Sequence, residues 1–187
     1  MIILETKRLI LRTWQNSDLE PFAKMNSDKD VMEFFPSILS KKESDELAAK
    51  INKHYGDNGY TLYAISLKET KEFIGFVGLL NVEKSTQYFA PSVEIGWRLT
   101  KECWGKGYAT EAARAVLAYG FTELKLKEIV SFTAVINKPS QRVMEKIGLT
   151  HNKNDDFDHP KLEENSPLLR HVLYRLTREE WKSTTDK

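Results

Sequence analysis

Six consecutive residues, Trp104-Gly105-Lys106-Gly107-Tyr108-Ala109, could do chemistry through their backbone alone. Two glycines one residue apart make a tight turn, and the turn leads straight into an apolar helical pattern. A helix N-terminus leaves N–H groups without intrahelical acceptors and carries the positive end of the dipole, so such a turn suits a phosphate or pyrophosphate. Cys103, beside the turn, is a nucleophile by residue type, but no His lies near it in sequence to activate it. A lone cysteine serves more simply as a small apolar filler. A second cluster, Asp155-Asp156-Phe157-Asp158-His159, offers carboxylates and an imidazole. Without fixed ligand geometry it reads as a solvated loop or a lid over an acceptor site, and no metal is expected.

The elements that must position these groups follow from periodicity. Ala109, Ala112, Ala113, Val116, Leu117, Gly120, Phe121 and Leu124 recur at alternating three-and-four spacing, which predicts a helix after the turn. A strand precedes the turn, with Val93, Ile95, Trp97 and Leu99 on one face and Glu94, Gly96 and Arg98 on the other. Gly96 inside it marks a bulge or a close backbone approach. Upstream come a strand over 8–13, cap chemistry at Asn16-Ser17-Asp18 before a short helix, and the bulky turn Phe34-Phe35-Pro36. Ser40 with Glu43 three residues on is a capping box that opens a helix to about Tyr55. Strands over 60–67 and 72–81 form a hairpin.

Downstream, 128–136 is almost continuously apolar, as a strand covered on both faces would be. Pro139 and Gly148 bracket a second helix. A short strand after Leu149, a polar loop over 152–167, a last strand over 168–176 and a terminal helical turn complete the chain. The pattern predicts one α+β domain over 1–187, with about seven strands in a mixed, mostly antiparallel sheet and about four helices.

Composition narrows the partners. With 28 basic and 27 acidic residues there is no phosphate-neutralising excess, which argues against a general nucleic-acid binder or an anionic-membrane binder. One cysteine rules out an intrachain disulfide and a multi-thiolate zinc site. Glu5, Lys7 and Arg8 interrupt the apolar segment that a signal peptide needs, and the apolar run over 73–80 is too short to span a bilayer, so a soluble cytoplasmic protein is expected.

Four motifs in order carry a resemblance. Glu94-Ile95-Gly96-Trp97, then Trp104 to Ala112, then Asn137 with Ser140, then Ile147-Gly148-Leu149 resemble the core motifs of the GNAT superfamily of acetyl-CoA-dependent N-acetyltransferases. The opening Glu5 to Arg12 is similar to the branch of ribosomal-protein-alanine acetyltransferases, so the likeness covers nearly the whole chain. It implies a V-shaped opening between the strands ending near Leu99 and near Ile136. The pantetheine arm of acetyl-CoA would bond the backbone of Trp97, Arg98 and Leu99 as a substitute strand, and the pyrophosphate would sit on Trp104, Gly105, Lys106, Gly107, Tyr108, Ala109 and Thr110. Many relatives begin this loop with Arg or Gln where this chain has Trp104.

Acetyl transfer needs a neutral amine. An α-amine is roughly a tenth neutral at pH 7, whereas a lysine is neutral only about four times in ten thousand. The resemblance therefore implies a modest base, for which Glu94 acting through a water is the candidate, set against an ion-paired structural carboxylate. Many relatives place a tyrosine acid seven residues after the motif Asn, but that position here is Met144. Ser140 is then the candidate to hydrogen-bond the leaving thiolate, set against a helix-capping role, and Asn137 to orient pantetheine or substrate.

Direct transfer in a ternary complex to a protein N-terminus or a small amine is the expected reaction. An antibiotic or polyamine acceptor, faintly favoured by the acidic loop, and a non-catalytic acyl-CoA-sensing module are the alternatives, and a homodimer is left open. Trp14, Phe34, Phe35 and Tyr88 are aromatic enough to wall the acceptor pocket or simply to fill the core, and His159 and His171 are weaker candidates for substrate contact.

Overall fold

Local chemistry sets most boundaries in the computed structural model, which describes residues 1–82 and 89–185. The capping box forms as its spacing requires: Ser40 accepts from the Glu43 N–H, Glu43 reaches back to the Ser40 N–H, and helix Lys41–Asn58 runs until Gly59 closes it at φ +77°. The chain falls into two compact units, Met1–Leu80 with Gly96–Val116 and Asn81–Ile95 with Leu117–Lys187.

In the first unit, strands β1 (Ile2–Glu5), β2 (Leu9–Arg12), β3 (Leu62–Leu67) and β4 (Phe73–Val82) lie in that order, each antiparallel to the next. The second half of β5 (Ser92–Leu99) follows β4. Helices α1 (Leu19–Ser27) and α2 (Lys41–Asn58) and the first part of α3 (Tyr108–Thr122) belong to the same unit. Trp14 is core and no pocket wall: its ring meets Phe22 edge-on at 4.7 Å and its indole donates to the Leu62 carbonyl at 2.7 Å. Asp18 takes part in a cap as expected, accepting from the Gln15 N–H at 2.8 Å, and is also buried with a bidentate bond from Arg12 at 2.6 and 2.8 Å. Gly75 of β4 adopts φ +134°, and a Cβ there would stand 2.1 Å from the Arg98 carbonyl, so only glycine lets β4 lie this close to β5.

The second unit is built on β6 (Glu128–Ala134) and β9 (Arg170–Thr177), antiparallel and in register from Glu128↔Thr177 to Ala134↔His171. Short strands β7 (Thr150–His151) and β8 (Phe157–Asp158) also pair with β9. β5 runs parallel to β6 and is registered with it at Glu94↔Val130, where the Ser131 hydroxyl donates to the Ile95 carbonyl at 2.9 Å. Val82, Val130, Phe157 and Leu173 form one buried cluster of this unit, with Phe89 and Phe132 against it. Helices α4 (Lys138–Lys146) and α5 (Arg178–Thr185) complete the unit.

The architecture is α+β with a mixed, mostly antiparallel arrangement, as the sequence predicts. It has nine strands and five α-helices among the described residues. The additions to the sequence reading are the exposed β1 and the two-residue β8. β8 lies inside the expected polar loop because Phe157 is buried and draws its neighbours onto β9. Tyr88, a candidate wall of the acceptor pocket, lies outside the described residues.

Candidate active site

The turn before α3 has the backbone that its sequence demands. Gly105 and Gly107 sit at φ +70° and +79°, the left-handed region where side chains are strained, and a Cβ on Gly105 would meet nothing within 4 Å. The first helical bond runs from the Glu111 N–H to the Gly107 carbonyl at 3.0 Å. Among the described residues no acceptor is found for the backbone N–H groups of residues 105–110. These donors lie at the positive end of a 15-residue helix, which suits a phosphate-bearing ligand. Trp104 holds the turn to the strand: its indole donates to the Leu99 carbonyl at 3.0 Å, so that carbonyl already has a partner. Cys103 is buried, in keeping with a filler.

A residue that the sequence reading gave no site role fastens this turn. Arg8 donates from Nε to Glu111 at 2.7 Å and from Nη1 to the Lys106 carbonyl at 2.9 Å, and its guanidinium lies 4.4 Å from the centre of the Tyr108 ring. Glu111 also accepts from the Thr6 hydroxyl at 2.6 Å and the Arg8 N–H at 2.9 Å. Burial acts to raise the Glu111 pKa, but the hydrogen bonds from Thr6 and Arg8 outweigh it and hold the carboxyl below its ordinary value. Arg8→Ala is expected to free the Lys106 carbonyl and weaken acetyl-CoA binding about tenfold, the scale of one lost charge-assisted bond. Calorimetric titration checks this, with Arg8→Lys restoring only part of the affinity.

Three more candidates lie in the second unit. Glu94 is half-buried, and among the described residues nothing hydrogen-bonds or ion-pairs with its carboxylate. Burial pushes its pKa up to about 8. The hydroxyl of Ser92, two residues earlier on the same face, is likewise buried without a partner. Asn137 caps α4, accepting from the Ser140 N–H at 3.2 Å while its amide donates to the Thr133 hydroxyl at 2.9 Å. Capping therefore falls to Asn137, and the Ser140 hydroxyl has no partner among the described residues. Met144 is buried in the core, only 1% exposed.

The acidic loop is not a free anionic surface. Asp155 accepts from Arg175 at 3.2 Å, Asp156 from His151 at 2.7 Å and Asp158 from Arg170 at 3.2 Å. The loop is exposed over most of its length, as expected of a solvated loop, and these pairs tie it to the sheet. No group of three or more His, Cys, Asp or Glu side chains poised for a metal occurs among the described residues. His159 and His171 lie 4.9 Å apart in an aromatic cluster with Phe132 and Phe157, and burial lowers the pKa of both. Phe35, by contrast, is 36% exposed and covers the Arg98 guanidinium at 4.0 Å.

Residues 8–150 match the acetyltransferase (GNAT) domain. The chain belongs to the GNAT acetyltransferase family. It is 31% identical to the Bacillus subtilis N-acetyltransferase YnaD, itself uncharacterized, over 95% of this chain and 98% of that one. It is 34% identical to B. subtilis YdaF, which carries the provisional name of a ribosomal N-acetyltransferase, over 58% of this chain and 55% of that protein. A GNAT-family acetyltransferase structure from Bacillus anthracis superposes with a TM-score of 0.79 at 28% identity, covering 96% of this chain and 99% of the other.

Membership makes the chain an N-acetyltransferase enzyme. Within the GNAT family, the Arg or Gln often found at the start of the loop is here Trp104, whose side chain works on the strand end. Of the candidates from the sequence, the first unit brings together Trp97, Arg98, Leu99 and residues 104–110, whereas Glu94, Asn137 and Ser140 stand in the second. No signal in the sequence singles out Arg8, because Glu111 has a local candidate partner in Arg114 at i+3 and its actual partner is 103 positions away.

Proposed function

We propose that this chain works over 1–187 as one acetyl-CoA-dependent N-acetyltransferase domain, passing acetyl directly to a primary amine in a ternary complex. The observation that carries the reading is the row of N–H groups over residues 105–110 with no acceptor among the described residues, at the start of α3. Acetyl-CoA supplies an activated thioester carbonyl. Trp104, Gly105, Lys106, Gly107, Tyr108, Ala109 and Thr110 hold its pyrophosphate, and the backbone of Trp97, Arg98 and Leu99 holds its pantetheine arm, with the Leu99 carbonyl excepted because Trp104 occupies it.

Glu94, in the fraction that is ionised, draws the proton from the amine through a water, and its raised pKa makes that carboxylate the stronger base. Ser140, whose hydroxyl is not spent on capping, hydrogen-bonds the departing thiolate, and Asn137 fixes the start of α4 that carries Ser140. The acceptor is a peptide N-terminus or a small amine. Asp155, Asp156 and Asp158 each have a cationic partner, so the acidic loop lends less support to a polyamine, which stays the second reading. The cytoplasm is the proposed compartment, and no helix among the described residues is long and apolar enough to cross a membrane.

Free-thiol detection over a panel of peptides, amino acids, polyamines and aminoglycosides tests this reading. Thiol release that depends on one class of amine supports it. Acetyl-CoA binding with no release across the panel would favour a non-catalytic binding module instead.

A further inference from the structure

β5 carries a cation that its own unit does not neutralise. Arg98 is 9% exposed, and its Nη1 donates to the Asn26 side-chain oxygen at 2.5 Å. Asn26 is fully buried and its amide donates to Ser44 at 2.8 Å, so that acceptor is neutral and fixed in orientation. No carboxylate lies within ion-pair distance of Arg98 among the described residues: Asp30 is engaged by Lys101 and Asp18 by Arg12. Nε is buried with no partner, and Nη2 has none among the described residues. Phe35 lies over the guanidinium at 4.0 Å and Phe76 at 5.4 Å, fixing the plane of the group.

A buried guanidinium with one neutral hydrogen bond is costly unless a counter-charge completes it. The bond to Asn26 alone would tether α1 to β5, and it leaves Nε buried without a partner beside an Nη2 that is not among the buried unpartnered atoms. The edge without partners is Nε with Nη2, whose two N–H bonds run parallel and match the two oxygens of a carboxylate. Arg98 also sits between Trp97 and Leu99, the backbone assigned above to the donor's arm.

We propose that the Nε and Nη2 edge of Arg98, under Phe35, is the carboxylate subsite of the acceptor, so that the amine substrate belongs to a molecule that carries its own carboxylate. This rests on the acetyl-transfer reading and narrows its substrate class to amino acids or acidic peptides. A polycation is disfavoured at the same position, since a buried guanidinium repels it.

The test compares matched acceptors in the thiol-release assay: glycine with glycinamide, alanine with alaninamide, and an Asp-Ala dipeptide amide with its Asn-Ala counterpart, with spermidine as a cationic control. The wild type is expected to favour the carboxylate member at least about tenfold in kcat/KM, mainly through KM. The free amino acids will show the preference if the subsite takes an α-carboxylate, the dipeptides if it takes an acidic side chain. Arg98→Met should bring the ratio to about one. Asn26→Asp, which supplies an internal carboxylate to Nη1 with little change of shape, should do the same and decides the matter if Arg98→Met does not fold.

A wild type that uses the amides or spermidine as well, or a ratio that survives both substitutions, overturns the proposal while leaving acetyl transfer standing. A binding arm separates the opposite failure. N-acetylglycine, and not N-acetylglycinamide, should raise the melting temperature of the wild type and not of Arg98→Met. If it does so and no amine releases thiol, the subsite stands and the catalytic reading falls.

Discussion

Gly107→Glu is expected to abolish acetyl-CoA binding while leaving the fold intact. Three effects add at this position. Gly107 sits at φ +79°, so any side chain strains the turn. A Cβ would lie 3.6 Å from Nη2 of Arg8, which invites the new carboxylate to capture the guanidinium and drag on the Lys106 carbonyl it holds. The added negative charge would also occupy the ground proposed for a phosphate, beside the unpaired N–H groups of residues 105–110. Together these should cost at least about 100-fold in affinity, or about 2.7 kcal/mol. The wild type at 100 times its Kd gains about 2.7 kcal/mol of stability from the ligand, and the variant should gain almost nothing. Gly107→Ala adds strain without charge and should fall between the two. An unchanged thermal shift in Gly107→Glu would refute the assignment of this turn.

Glu94→Gln carries the other large effect, through both rate and stability. As a base Glu94 must be ionised, and with a pKa of about 8 only roughly a tenth of it is so at pH 7. The wild-type rate should therefore rise through pH 8 and then level, whereas Glu94→Gln should be slower by about 10²- to 10⁴-fold with that rise removed. The stability effect runs the other way. A carboxyl whose folded pKa lies above its ordinary value of 4.5 binds more protons folded than unfolded, so the contribution of Glu94 to stability is greatest below pH 4.5 and is lost as pH climbs through about 8. Glutamine at this site escapes the decline. The variant should match the wild type in urea midpoint near pH 4.5 and exceed it at pH 9, by an amount on the order of a few kcal/mol at most. A rate profile identical to wild type across pH 6 to 9 would remove Glu94 from the chemistry, and wild-type stability that does not fall over the same range would remove its buried carboxyl.

What was legible in the sequence was what is local. The capping box at Ser40 and Glu43, the two glycines of the turn and the apolar stripe of α3 each act within a few residues, and each appears where its spacing puts it. Four motifs in order were enough to point to the family. Long-range pairing was not legible, because a charged residue does not announce which distant partner it will meet. Arg8 finds Glu111 across 103 positions and Arg98 finds Asn26 across 72, and both bear on the site. The partners of the acidic loop are hidden for the same reason, since Arg170 and Arg175 that pair with Asp158 and Asp155 lie on a later strand. The need for glycine at Gly75 comes from the neighbouring β5 backbone, which periodicity in β4 does not reveal.

The most direct measurement of the central claim is an amide chemical-shift titration of the wild-type protein with acetyl-CoA. The account predicts saturable binding in which the N–H signals of Gly105 to Thr110 move furthest, downfield as they gain a phosphate acceptor, with the Trp104 indole signal moving much less because it is already bonded to Leu99. Saturable binding that leaves those six amides in place, or no binding at all, would contradict it.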